Sequence, residues 1–449
     1  MVEHADAEAG GRGVVRMASS GRSFLFLQGL ATRFFERLGR ALLARGHAVH
    51  RVNFNGGDRA FWRLPGAVDF TGRLHDWPEF LDALLAEAGI SDIVLFGDCR
   101  PLHRAAMRVA AARAIRVHVV EEGYLRPGWI TFEEGGVNGY SALPRDPSWY
   151  REQGRALPEW QDPPAMPGSF RRRAVEDVRY TAALMAQMWR FPHYSRHRPY
   201  HTLIEYAGWL RRLALRRRAE RRAAAAVAGL VAETGPLFLF PLQLDDDYQV
   251  RQHSPFRAMH LAIEHVLGSF ARQAPAAARL VVKLHPLDCG LVDWAGMTGH
   301  IAAEAGIAER VTVIDGADMG LLLERARGVV TVNSTAGTLA LAQRLPVIAL
   351  GKAVYDLPGL TFQGDLDEFW AAAEAPDAEL FDAFRRVLAA RCLIPGAFFS
   401  EPGLATAVAA ALMRLEAGYA RPARARAVPL PVRAADADAP AIAAATSLR

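Results

Sequence analysis

The sequence predicts an α/β protein of two Rossmann-like domains that face each other across a cleft and end in C-terminal helices. Three observations carry this expectation. Apolar runs of strand length alternate with stretches of helical period in two separate blocks. A basic helical segment divides the blocks. Several apolar runs end in polar or charged residues, and in open α/β sheets ligands bind at the carboxyl ends of strands. At 449 residues the chain also exceeds one core, and about two to three domains is the ordinary expectation.

Residues 1–22 read as a loose tail without the apolar centre of a secretory signal. A strand over 23–27 turns at Gln28-Gly29. Phe34, Phe35, Leu38 and Leu42 then recur at helical spacing up to Gly46. A strand over 48–54 opens into Asn53-Phe54-Asn55-Gly56-Gly57-Asp58, a polar glycine turn that suits either an acceptor or a plain connection. A helix over 77–88, a strand over 92–96, a helix over 104–113 and a strand over 117–120 follow, and 23–150 forms the first domain.

Residues 151–235 make an insertion, whose first part, 152–168, is a linker rich in proline and charge. Residues 171–226 are mostly helical and very basic. Arg211, Arg212, Arg216, Arg217, Arg218, Arg221 and Arg222 stand within twelve residues, beside Trp209, Leu210, Leu213 and Leu215. This pattern suits a solvated helix between domains or a contact with anionic lipid head groups. No aromatic residues alternate with the arginines, which argues against nucleic acid.

The second domain, 236–366, has strands over 237–240, 280–284, 311–314, 328–332 and 346–350. Helices over 258–270, 319–326 and 337–343 connect them. Segment 367–418 holds two helices, near 379–391 and 402–415, and the Ala/Pro/Arg-rich tail 419–449 is expected to be disordered. With 22% charged and 51% hydrophobic residues the composition is globular. The net charge of +5 comes mostly from the insertion. No apolar run reaches the roughly 18 residues of a membrane-spanning helix. Cys99, Cys289 and Cys392 lie far apart in neither a disulfide nor a metal spacing, which fits a reducing compartment.

Four stretches carry candidate chemistry. In Val281-Val282-Lys283-Leu284-His285-Pro286 the proline stops the ladder and leaves Lys283 and His285 at the rim. His285 suits donation to a phosphate oxygen or protonation of a leaving group, or else it only caps a strand. Lys283 lies on the face opposite Leu284, where a structural role is equally open. Asn333-Ser334-Thr335-Ala336-Gly337 follows a strand and opens a helix, so it suits an anion or an ordinary N-cap. It lacks the Walker lysine and the dinucleotide fingerprint. Glu121-Glu122-Gly123 offers a general base, a nucleophile or a stabiliser of a cationic transition state, or a plain surface pair. After Gln243, the run Asp245-Asp246-Asp247 suits Mg²⁺ or turn positions, and Arg251 and His253 suit an anionic substrate group.

Taken together, Gln28-Gly29, Asn53-Phe54-Asn55-Gly56-Gly57-Asp58, Glu121-Glu122-Gly123-Tyr124-Leu125-Arg126-Pro127, Pro241-Leu242-Gln243 with Asp247, Lys283-Leu284-His285-Pro286 and Asn333-Ser334-Thr335-Ala336-Gly337 resemble the capsule polysaccharide biosynthesis family of the KpsS/LipB type, over roughly residues 23–360. The acidic-acidic-Gly, His-Pro and Ser/Thr motifs are also similar to those of bacterial sialyltransferases, which implies a GT-B-like fold. The resemblance implies a bacterial cytoplasmic enzyme, peripheral at the inner membrane. It would transfer Kdo (3-deoxy-manno-octulosonic acid) from CMP-Kdo to a phosphatidylglycerol-type lipid with net retention, beginning a poly-Kdo linker. By that likeness His285, Ser334 and Thr335 bind the CMP phosphate, and Lys283, Pro286, Asn333 and Gly337 of the same motifs are the further nucleotide-binding candidates. Glu122 is the catalytic carboxylate, with Glu121 and His285 beside it. Gln28, Gly29, Asn53, Asn55, Asp58, Arg126, Gln243, Asp247, Arg251 and His253 serve substrate and acceptor. Many relatives carry Asp where this chain has Glu122.

CMP-Kdo carries a single phosphate, so no metal or other cofactor is implied, and Mg²⁺ serves only in making the donor. The implied partners are the membrane surface and the capsule assembly and export machinery, including a second Kdo transferase; nucleic acid is not among them. Rival readings are a non-catalytic export or assembly factor, which older descriptions of the family favour, and a GT-B transferase of another nucleotide sugar.

Overall fold

The computed structural model describes residues 21–164, 166, 168–196, 200–232 and 235–418. Of the expected tails, 1–22 and 419–449, only Gly21 and Arg22 are among the described residues. Strands β1 (Ser23–Phe26), β2 (Ala48–Asn53), β3 (Ala67–Asp69), β4 (Asp92–Phe96), β5 (Arg116–Glu122) and β6 (Trp129–Glu134) build the first domain. Strands β7 (Leu237–Pro241), β8 (Arg279–Lys283), β9 (Val311–Ile314), β10 (Ala326–Thr331) and β11 (Val347–Ala349) build the second, and β12 (Leu393–Pro395) returns to the first.

The second sheet runs β11-β10-β7-β8-β9 and is parallel throughout. A parallel sheet is covered on both faces, so its strands must be apolar on both sides. Phe238, Leu239, Phe240, Leu280, Val281 and Val282 are accordingly all buried. This is why the second domain is readable as a series of unbroken apolar runs.

The first sheet runs β12-β6-β5-β4-β1-β2-β3. Pairing from β3 to β5 is parallel, but β6 lies antiparallel to β5 and β12 antiparallel to β6. The expected parallel sheet is therefore mixed at one edge. The linker 123–128 is too short for a crossover, which takes roughly a dozen residues or more, so β5 can only fold back on itself. Gly123 makes that reversal possible, since a Cβ there would lie 2.2 Å from the Trp129 carbonyl oxygen.

The C-terminal helices divide between the two domains. Helix Leu366–Ala372 packs on Met259–Gln273 of the second domain. Helix Ala378–Arg391 instead packs on Pro147–Arg155, and Glu401–Ala417 on Phe34–Ala44, both in the first domain. Helix Ala378–Arg391 buries Leu380, Phe381, Phe384, Val387 and Leu388, one stripe at helical spacing. Each such burial is worth about 1.5–3 kcal/mol relative to exposure.

The insertion forms two helices, Phe170–Ala186 and Thr202–Ala232. The first is capped by Ser169, whose Oγ accepts from the Arg172 amide at 3.2 Å. It seats on a short helix, Gly56–Ala60, where the sequence suggests only a turn. A side chain at Gly57 would lie 2.7 Å from the Tyr180 ring. The Tyr180 hydroxyl accepts from Asn55 Nδ2 and donates to Asp58 Oδ1, both at 3.0 Å. Among the described residues no helix is long and apolar enough to cross a membrane.

Candidate active site

The carboxyl ends of β5, β8 and β10 meet where the two domains face each other. Strand alternation separates the two carboxylates at the end of β5. Glu122 is ion-paired with Arg126 at 3.0 Å and with Arg173 of the insertion at 2.7 Å. Burial alone would raise its pKa, but Arg126, Arg173 and His285 outweigh it and hold the carboxyl below its usual range. Glu122 is therefore ionised. Glu121 turns the other way, toward Asp98 and Asp247, and accepts from Asn138 Nδ2 at 2.6 Å. Burial, then Asp98, pushes it up to about 8, so it carries a proton at neutral pH.

His285 stands just beyond β8. Its Nδ1 accepts from the Leu287 amide at 3.1 Å, which leaves Nε2 to carry the proton of the neutral ring. Burial, then Arg126, lowers its pKa to about 4 against the pull of Glu122. Glu122 and His285 influence each other's charge, so the ring lies near the Glu122 cluster. Lys283 is buried one strand step behind. Burial lowers its pKa while Asp315 raises it.

Strands β8 and β10 flank β7, so their ends stand roughly 10 Å apart at the usual strand spacing. Ser334 and Thr335 follow β10. Ser334 Oγ accepts from the Ala336 amide at 3.2 Å, and the Ser334 carbonyl accepts from the Tyr355 hydroxyl at 2.6 Å. Thr335 occupies the N-cap of helix Ala336–Ala342 without a side-chain cap bond, and Gly337 is buried within that helix. Asn333 and Gln243 bind each other: the Gln243 amide donates to Asn333 Oδ1 at 2.9 Å, and the Asn333 backbone donates to Gln243 Oε1 at 3.1 Å. That pair fixes the ends of β7 and β10 together.

Several predicted residues serve the frame around the cleft. Gln28 reaches Tyr194 at 3.0 Å and Tyr180 at 3.2 Å, and accepts from Arg100 at 2.9 Å. The Gly29 carbonyl accepts from the same arginine at 3.4 Å. Asn53 donates to Asp69 at 3.0 Å, Asn55 caps the amide of Asp58 at 3.0 Å, and Asp58 pairs with buried Arg51 at 3.1 Å. Pro286 is exposed at the lip.

Asp247 caps the Gln249 amide at 2.9 Å, and burial followed by Asp246 pushes it up to about 6. Asp245 caps Met259 at 2.7 Å. The acidic run is thus partly spent on helix starts. Arg251 donates to the Asp245 carbonyl at 3.1 Å. With His253, Arg104, Tyr140 and Lys352 it borders a cavity of about 560 Å³.

The seam between the domains is bonded. Thr338 Oγ1 donates to the Tyr124 carbonyl at 3.0 Å. His253 is buried against the Tyr140 ring at 4.7 Å, with Nε2 3.2 Å from Cys99 Sγ. Asp98, Cys99 and His253 place their ligand-type atoms within 4.8 Å of one another. Cys99 already donates to Asp98 at 3.1 Å, and Asp98 accepts from the Val137 amide at 2.8 Å, so the cluster is held by its own hydrogen bonds.

Sequence reasoning misses Arg173, Asn138, Asp98 and Arg212. Arg173 stands 51 positions from its partner Glu122. Arg212 belongs to the basic run, yet it turns inward to the His285 carbonyl at 3.3 Å and also binds Asp288 and Asp315.

Fold and site define a two-domain α/β protein of GT-B-like architecture, with carboxylates, an imidazole and a hydroxyl-bearing turn at its cleft. Residues 91–399 match the family model described as capsule polysaccharide biosynthesis protein, and the chain belongs to that family. It is 36% identical to the capsule polysaccharide export protein KpsS of Escherichia coli over 385 residues, which cover 85% of this chain and 97% of the relative. It is also 36% identical to the capsule polysaccharide modification protein LipB of Neisseria meningitidis serogroup A over 394 residues, 86% of this chain and 93% of the relative. Among solved structures it is similar to the β-Kdo 2,7 transferase KpsC of Thermosulfurimonas dismutans, at 13% identity and a TM-score of 0.44, covering 88% of this chain and 99% of that one.

Proposed function

We propose that this capsule biosynthesis protein is a glycosyltransferase that moves Kdo from CMP-Kdo to a phosphatidylglycerol-type lipid, starting a poly-Kdo linker with retention. The observation that supports it most is an ionised Glu122, at the end of a first-domain strand, beside a neutral His285, at the end of a second-domain strand. In the transfer, the bond between the ketose carbon and the CMP phosphate oxygen breaks and charge develops on the leaving phosphate. The Nε2–H of His285 and the hydroxyls of Ser334 and Thr335 stabilise that charge as it grows. The sugar carbon becomes oxocarbenium-like, and the carboxylate of Glu122 favours it, either by a covalent adduct or by shielding a front-face attack. Arg126 and Arg173 keep Glu122 ionised for this role. The chemistry calls for no metal at the single phosphate. In this reading the enzyme works at the inner-membrane surface and hands its product to a second Kdo transferase and the export machinery.

The test is direct. Purified protein is given CMP-Kdo with and without a diacyl phosphatidylglycerol-type acceptor, and lipid-linked sugar is followed by mass spectrometry. Product forms only with the acceptor, and His285→Ala and Glu122→Gln abolish it while melting cooperatively. A well-folded preparation that makes no glycolipid beside an active control transferase sinks the proposal. The name of the Escherichia coli relative favours a second reading, a non-catalytic export factor. Under it, the same two variants would still support capsule on the cell surface.

A further inference from the structure

A cavity of about 550 Å³ opens between the two insertion helices and the loops beyond β7 and β8. Its walls are mostly apolar, with Phe170 and Val178 from one helix, Trp209 and Leu213 from the other, and Leu287 and Val292 from the second domain, but five carboxylates also border it. Arg173, the partner of Glu122, stands on the same wall. The cavity therefore adjoins the candidate active site through Arg173. Of the bordering carboxylates, Asp245 is taken up by the Met259 amide, Asp288 by the Gly290 amide and the Trp294 indole, and Glu205 by Arg196, while Asp177 and Asp246 also border the cavity.

The insertion that walls this cavity is unlike the rest of the molecule. Among the described residues, twelve of the eighteen exposed large apolar side chains fall between positions 170 and 215. Trp189 is 78% exposed, Leu210 69% and Leu203 59%. Beside them Arg211, Arg216, Arg217, Arg218, Arg221 and Arg222 face solvent. So many exposed apolar side chains on one insertion mark an interaction site. Exposed arginines beside it match an anionic bilayer surface. A second copy of the chain would bring the same arginines against these, which disfavours self-association.

We infer that the cavity seats an acyl chain of an anionic glycerophospholipid and that the insertion beds in the bilayer around it. This rests on the proposed lipid acceptor and says where its hydrocarbon goes. The head group then emerges beside Arg173, at the edge of the Glu122 cluster.

Two measurements test it on the full chain. In flotation, the protein rises with vesicles of phosphatidylcholine mixed with phosphatidylglycerol, and not with phosphatidylcholine alone. Arg217→Glu with Arg218→Glu and Arg221→Glu lowers the bound fraction at least about tenfold, and added salt does the same. In titration calorimetry, submicellar lysophosphatidylglycerols bind about three- to fourfold tighter per added methylene until the cavity is filled, and Leu213→Glu flattens that series. Unchanged flotation of the charge-reversed protein, or an equal chain-length slope in Leu213→Glu, overturns the inference. A dimer that Leu203→Glu dissociates, without vesicle binding, assigns the face to self-association and also overturns it. The thermal shift with CMP separates the two proposals. Lipid binding without a CMP shift sinks the transfer and spares the seat, and a CMP shift without lipid binding sinks the seat alone.

Discussion

Strand β5 turns Glu121 toward Asp98, Asn138 and Asp247, and turns Glu122 toward Arg126, Arg173 and His285. One neighbour is pushed up to about 8 and the other held low. The lesson is that adjacency in sequence does not make a carboxylate dyad. A strand places neighbours on opposite faces, and each face has its own field. Groups whose acidities are driven apart divide the labour. Here the ionised member faces the cleft and the protonated member ties the carboxyl end of β5 to the loop after β6.

The sharpest way to break this comparison is to exchange the charges. Under the proposed transfer, Glu122→Gln loses about 10²–10⁴-fold in turnover, with a melting temperature near the parent's, because the side chain is a quarter exposed and stands at the rim. Glu121→Gln, which preserves the protonated shape, keeps most of the activity. Equal losses from the two substitutions, in steady-state rates, would erase the distinction. His285→Ala is next, costing about 10²–10³-fold in turnover as the loss of one donor to a developing anion.

A smaller effect concerns binding of the leaving nucleotide. His285 is neutral above about 4 in the free protein. A bound phosphate raises that pKa, so binding takes up a proton and CMP affinity increases as pH falls from 7 toward 5, by at most about tenfold per unit. Calorimetry in buffers of different ionisation enthalpy reads the proton, and His285→Asn removes it.

The next effect is on stability. The Glu121 pKa is raised from 4.5 to about 8. Its contribution is therefore whole below 4.5 and is lost as pH rises through about 8. Chemical denaturation across that window shows the parent weakening and Glu121→Gln weakening less. The smallest effect is at the seat of the insertion. Asn55→Ala removes a helix cap, which costs about 1 kcal/mol in unfolding free energy.

Much of this architecture is legible in the chain alone, and for a definite reason. Parallel strands covered on both faces have to be unbroken apolar runs, so β7, β8 and β10 announce themselves, and Pro286 marks where β8 stops. The motifs at their ends follow at once, because strand ends are where such sheets bind. Amphipathic stripes such as Phe34, Phe35, Leu38 and Leu42 are equally local. Short edge strands are not. Strands β3 and β12 have three residues each, too few for a period, and β6 depends on the short reversal at Gly123.

Tertiary structure alone decided the rest. It sent the last two helices back to the first domain, split the basic run into an inward Arg212 and outward neighbours, and set Cys99 against His253 from the facing domain. It also decided which glutamate is ionised. Periodicity is a property of consecutive residues, whereas charge state depends on whatever lies within a few ångströms, and Arg173 arrives there from 51 positions away.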